Sequence, residues 1–232
     1  MEKVGIIQEF ERVKVKYASL RLHPMDDNTW EILGDLHFVG KFHSETIEDS
    51  YFIRIYIPPA YPKKIPKVWE LGGRIPKDFH KFGDESLCLG TPLDVKIKFH
   101  KRPTLLGFIE NGVIEYLFGY SYKLKNGILP FGERSHGIEG VIEHYKELFS
   151  TSHLIDVVNL LEFLVCGNYQ VEKQCPCGSK ESIEQCHGDI LSRLLDYQDF
   201  EEYVDDLIRI YRMCRTFLKW DLHKYVMSFD RR

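Results

Sequence analysis

The stretch Tyr51–Leu71, YFIRIYIPPAYPKKIPKVWEL, decides how this chain must fold. Its first seven residues are aromatic or β-branched at every position but Arg54, the composition of a strand lying on a packed surface. Four prolines follow, Pro58, Pro59, Pro62 and Pro66, and each withholds a backbone donor, so neither a central strand nor a helix interior passes through them. The strand ends there, the chain turns, and Val68–Leu71 resumes as a further short strand. Upstream, residues 29–40, TWEILGDLHFVG, have the same strand character and are separated from Tyr51 by the polar HSETIED at 43–49, which reads as a connector between antiparallel strands. Val4, Ile7, Phe10 and Val13 recur at helical spacing among charges and predict an amphipathic opening helix that covers the sheet.

Downstream, residues 72–103 carry GGRIP, FGDES, LGTP and KRP with little periodicity, the signature of a long structured loop region, and long loops inside compact domains are usually functional. Cys88 lies in the middle of it. The run TLLGFIENGVIEYLFGYSY at 104–122 places Leu106, Ile109, Val113, Ile114 and Leu117 on one side of a mostly buried helix. Helical patterns return at 137–149, at 153–166 and from Asp189 onward, and QCPCGSKESIEQCHG at 174–188 stands between the last two. The expected division is therefore a domain at 1–150 and a helical region at 151–232.

Composition bounds the function. Apolar residues make up 44% and charged residues 28%, enough to build a core. A net charge of −4, from 31 basic and 35 acidic side chains without like-charge blocks, argues against a nucleic-acid partner. The first residues interrupt their apolar positions with Glu2, Lys3, Glu9, Glu11 and Arg12, and no apolar run reaches the length of a membrane span, so a cytoplasmic protein is expected. Six cysteines without an export signal read as metal ligands, a nucleophile or buried thiols rather than disulfides. Cys166 and Cys214, in helical stretches, are expected in the core.

The order of these features carries a resemblance. A strand ending in proline, the turn AYPKKIPKV and a glycine followed by SLCLG resemble the core of the ubiquitin-conjugating enzyme family, with Tyr61, Pro62, Pro66, Val68, Leu87, Cys88 and Leu89 matching its pattern and Ile65 replacing one proline. The resemblance implies an α+β fold, an antiparallel sheet flanked by helices, and a thioester carried on Cys88. On residue type alone, a cysteine between two leucines is a small buried apolar residue, and only the proline turn and loop before it argue for a nucleophile. In the family's eukaryotic members an asparagine eight residues before the cysteine steadies the oxyanion; here that position is His80, which can donate a hydrogen bond or serve as general base. The wider spacing from turn to cysteine, and the stretch PFGERSHGIEG at 130–140, resemble the divergent bacterial branch. That branch implies an adenylating, ubiquitin-activating-like partner, and as cargo a ubiquitin-like protein or the C-terminus of a cyclic-nucleotide synthase of antiviral defence. Glu133, Arg134 and His136 form a polar cluster that either lines the site or steadies a loop, and Tyr61 is expected to pack against the turn.

Cys175, Cys177, Cys186 and His187 follow the spacing Cys-x-Cys-x8-Cys-His, which supplies the four soft or borderline donors that tetrahedral zinc requires. The string CPCGSKESIEQCHG resembles the SEC-C zinc motif, although Lys180, Glu181 and Glu184 depart from it. With four protein ligands the zinc would be structural. Two other readings stand beside the transferase: a conjugating-fold binding module that has lost catalysis, and a cysteine hydrolase pairing Cys88 with a distant histidine.

Overall fold

The computed structural model describes residues 3–26, 28–132, 135–166 and 172–218. The fold is α+β. Helix α1 (Lys3–Lys16) leads into β1 (Arg21–Pro24), β2 (Trp30–Phe42), β3 (Glu45–Ile57) and β4 (Lys67–Glu70), which form one antiparallel sheet in the order β1-β2-β3-β4. The Tyr51–Ile57 run forms the second half of β3, and Tyr51, Ile53, Ile55 and Ile57 are all buried. Strand β3 begins earlier than expected: of the polar segment 43–49 only His43 and Ser44 make the turn, and Glu45 to Asp49 pair with Phe38 to Phe42. Buried Ile47 is the one apolar residue that continues the alternation of β3 through that polar composition.

Helix α1 covers the sheet through Ile6, Phe10 and Val13, with Tyr17 just beyond its end, a spacing of four, three and four that keeps one face inward. Ile7, expected on that face, is 44% exposed, and the side chain of Val4 lies outside the described residues. The loop region after β4 contains a further helix, α2 (Pro92–Lys101), where irregular chain was expected. Its start is capped by Thr91, whose hydroxyl accepts from the Asp94 amide at 3.2 Å, with Pro92 in the first turn where no donor is needed. Helix α3 (Leu105–Phe108), a π-helical turn (Ile109–Val113) and α4 (Ile114–Asn126) run on as one continuous helix. The Ile114 amide bonds the Ile109 carbonyl across the turn, and the extra residue rotates the buried stripe to Leu105, Phe108, Ile109, Val113 and Leu117, leaving Leu106 and Ile114 only partly covered.

The chain divides into two compact units, Met1–Glu133 and Arg134–Arg232, ahead of the expected boundary at 150. Helix α5 (Gly137–Leu148) groups with the second unit because Val141, Ile142 and Tyr145 are buried and it packs on α6 (Leu154–Cys166) and α8 (Phe200–Leu218). The helical stretch expected from Asp189 onward is two helices, α7 (Gly188–Tyr197) and α8, separated at Gln198 and Asp199. Tyr145 donates to Asp206 Oδ2 at 2.8 Å, which satisfies both polar groups between α5 and α8. Cys214 is buried as expected, whereas Cys166, the last residue of α6, is exposed. Among the described residues no helix is long and apolar enough to cross a membrane.

One polar network anchors the chain after β4. Arg74 straddles Asp49 of β3, Nη1 to Oδ1 at 2.8 Å and Nη2 to Oδ2 at 3.0 Å, and lies 4.1 Å from the centroid of the Tyr51 ring. Ser121 of α4 donates to Asp49 Oδ2 at 2.7 Å, and Tyr120 donates to the Arg74 carbonyl at 2.8 Å. Partial burial works against the Asp49 carboxylate, but the bonds from Arg74, Ser121 and the Ser50 amide outweigh it and bring its pKa from 3.8 to about 2. A depressed carboxylate adds stability above its unfolded pKa that is lost as pH falls through the folded value. Asp49→Asn should therefore cost about 1 kcal/mol at neutral pH, solvent screening of this partly exposed pair taking up part of the shift. The gap between variant and parent should narrow in denaturant titrations as pH falls from 3.8 toward about 2. A pH-independent gap would mean the carboxylate charge is not what anchors the loop.

Candidate functional site

Cys88 is placed by a narrow antiparallel hairpin that docks on β4 through the Leu87 backbone. Lys81 and Leu87 pair as an antiparallel bridge, the Cys88 amide donates to the His80 carbonyl at 2.8 Å, and the Leu87 amide donates to the Val68 carbonyl at 2.8 Å. The eight-residue offset between His80 and Cys88 is thus that of two residues facing each other across a hairpin whose tip is Gly83 to Ser86. Asp84 builds that tip. Its Oδ1 accepts from the Ser86 amide at 3.1 Å and hydroxyl at 2.5 Å, its Oδ2 from Lys67 at 2.9 Å, and its carbonyl from Trp69 Nε1 at 2.9 Å. The bonds from Ser86 and Lys67 hold the Asp84 carboxyl down at about 2.

The proline turn packs against α1 and α2. Tyr61 is buried, donates to Glu9 Oε2 at 2.8 Å and meets the Phe99 ring at 5.9 Å between centroids, the packing role expected of it. Glu9 Oε2 also accepts from the Leu105 amide at 2.7 Å, so one carboxylate of α1 joins the turn to the start of α3.

Around the thiol, Cys88 Sγ lies 3.6 Å from the Gly90 carbonyl and is half-buried. Gly90 has φ +147°, and a Cβ there would stand 2.6 Å from Asp94 Oδ2, so the chain enters the α2 cap by a path that only glycine allows. Burial pushes the Cys88 thiol above its ordinary range. Phe79, His80, Leu89, Glu115 and Tyr116, with Gly119 and the residues Leu129 to Gly132, line a cleft of about 140 Å³, which Cys88 adjoins in sequence through Leu89. His80 has φ +38° and its ring meets Phe79 edge-on at 4.9 Å. The structure therefore brings the two sequence-identified residues, Cys88 and His80, together through their backbones and places His80 on the cleft wall. Glu133 and Arg134 of the polar cluster lie outside the described residues. Tyr116 went unnoticed in the sequence, where it is one aromatic among several in an apolar helix.

Cys175, Cys177, Cys186 and His187 converge in the second unit: one donor atom from each lies within 4.8 Å of all the others, a group that could hold a metal ion. A bridge between Gln174 and Ser182 closes the knuckle, the Cys175 amide donates to the Glu181 carbonyl at 2.7 Å, and Gly178, at φ +82°, turns the chain between the first ligand pair and the rest. His187 directs Nδ1 toward the thiols, 3.1 Å from Cys186 Sγ and 3.3 Å from Cys175 Sγ, because Nε2 is engaged by the Phe149 carbonyl at 2.9 Å. Asn159 of α6 donates to the Pro176 carbonyl at 3.1 Å. The donor set, three thiols and one imidazole aimed at a common point, is suited to a borderline-soft cation.

No protein-family model, curated protein or solved structure matches the chain. The chemistry must be argued from the residues.

Among the described residues no cation lowers the pKa of this half-buried thiol, and such a thiol reacts slowly until it ionises. Alkylation of Cys88 by iodoacetamide, followed by peptide mass spectrometry, should be slow at neutral pH and still climbing above about pH 9. A plateau near neutrality would show an activated thiolate and overturn this description.

Proposed function

We propose that the chain is a ubiquitin-conjugating-like transferase that carries the C-terminus of another protein as a thioester on Cys88 and passes it to an amine. The observation that supports this most is the combination at Cys88: a half-buried thiol whose backbone amide donates to the His80 carbonyl at 2.8 Å, with its neighbours His80 and Leu89 in the wall of a cleft. A thiol that is not strongly activated suits a carrier, since an over-activated centre would also speed loss of the acyl group to water.

In the loading step the Cys88 thiolate attacks an incoming thioester carbonyl and the donor's sulfur leaves as thiolate. In discharge a neutral amine attacks the Cys88 thioester, the C–N bond forms, and the C–S electron pair returns to Cys88. The amine's proton passes to imidazole or solvent. An oxyanion develops between the two events, and a hydrogen bond from the His80 imidazole would stabilise it. The partners implied are an adenylating enzyme that forms the donor thioester and a ubiquitin-like protein, or a cyclic-nucleotide synthase tail, as cargo. We place this activity in the cytoplasm, in a bacterial conjugation or antiviral pathway.

We assign zinc to the knuckle, with Cys175, Cys177, Cys186 and His187 as a SEC-C-like ligand set. Four protein donors leave no position for water, so the ion supplies folding energy to the second unit and no chemistry. Metal analysis should find about one zinc per chain. His187→Ala should lose it, with a drop in thermal stability that a strong chelator reproduces in the parent. A folded chain with no bound zinc and no response to chelator would sink the assignment.

Supplying an adenylating enzyme, ATP and candidate cargo should give an adduct that reductant removes and Cys88→Ala abolishes. His80→Ala should leave loading largely intact and slow discharge by about 10²-fold, the scale of one lost oxyanion donor. Stable binding with no adduct would favour a binding module that has lost catalysis, and cleavage of the cargo would favour a hydrolase.

A further inference from the structure

Resting on the transferase reading, we infer that Tyr116 is a positioning residue for His80, fixing the backbone from which the imidazole reaches the thioester. Tyr116 stands in the first turn of α4, 36 residues from His80 in sequence. Its hydroxyl lies 3.0 Å from the Phe79 carbonyl and 3.3 Å from the His80 carbonyl, and its ring meets that of Phe79 edge-on at 5.7 Å. The single Tyr116 proton is shared between the Phe79 carbonyl and the longer contact to the His80 carbonyl, which also accepts from the Cys88 amide at 2.8 Å across the hairpin. This peptide needs holding. A φ of +38° is sparsely populated by residues other than glycine, and such a residue persists only where its surroundings over-determine it.

Geometry makes the constraint local. The Leu87 amide bonds the Val68 carbonyl of β4, and the His80 carbonyl meets Tyr116 and the Cys88 amide. Tyr116 and His80 also line the same cleft. Burial first, and then the charge of a Cys88 thiolate, push the Tyr116 phenol well above its ordinary range, so it remains a donor whenever the thiol is ionised.

Tyr116→Phe removes the hydroxyl and keeps the ring. The whole chain is loaded directly with a synthetic peptide thioester ending in Gly-Gly, freed of excess donor and discharged onto free lysine, each step followed by intact-protein mass spectrometry. Loading should match the parent, and discharge should slow roughly three- to tenfold, the scale of one net hydrogen bond. In a His80→Ala background the same substitution should produce no further slowing, because it acts through the imidazole. Hydrogen exchange gives a second readout: Tyr116→Phe should release the Cys88 amide and leave the Leu87 amide protected. Parental discharge, an independent slowing in the His80→Ala background, or loss of protection at both amides would each overturn the positioning role. Failure of Cys88 to load at all would overturn the transferase reading itself and this inference with it.

Discussion

The Leu87 amide bond to the Val68 carbonyl is the contact on which the candidate site depends. Val68 belongs to β4, which pairs with β3 through Val68 and Ile55, and β3 pairs with β2 over thirteen residues from Trp30 with Ile57 to Phe42 with Glu45. That long hairpin cannot slip by one residue without turning Ile53, Ile55 and Ile57 out of the core. The register of the sheet therefore passes through Val68 to Leu87, and one residue further to Cys88. A reactive side chain on a loop gains its precision from the scaffold beneath it.

Three clamps then remove the remaining freedom of the long segment after β4. Arg74 binds its start to Asp49, the Asp84 turn closes the hairpin tip on Lys67 and Trp69, and the Thr91 cap begins α2 just beyond Gly90. Each uses a polar side chain to satisfy backbone or charge that an irregular segment would otherwise leave without partners. The outcome is a cysteine that is half-buried and less acidic than a free one, a thiol placed with care but not primed. The knuckle in the second unit brings three thiols and an imidazole close enough together that the group could hold a metal ion.

Much of this was legible in the linear chain. Tyr51–Ile57 announces a strand, the prolines after it announce a turn, and Cys175, Cys177, Cys186 and His187 announce a ligand set, because each signal is local and needs no distant partner. Helix α2 also had a local signal, Thr91-Pro92-Leu93-Asp94, a hydroxyl cap with proline at the first position, which the surrounding glycines and prolines obscured. Strand β1 had little to show: four residues, mostly exposed, at the sheet edge. The polar start of β3 and the exposed Ile7 of α1 differ from expectation because pairing and burial are settled by what lies opposite, not by composition.

By itself the sequence determined which segments could be strand, turn or helix and which side chains are candidates for chemistry, since backbone donors, side-chain periodicity and donor type are properties of the chain alone. Tertiary structure decided who meets whom. The π-helical turn at Ile109–Val113 rotates the long helix's buried stripe, and Tyr116, in the first turn of α4 just beyond it, contacts the carbonyls of Phe79 and His80. Helix α5 joins the second unit because Tyr145 finds Asp206 there, 61 residues away. Such contacts pair groups distant in sequence, and the free energy that selects them is gained only once the core between them has formed.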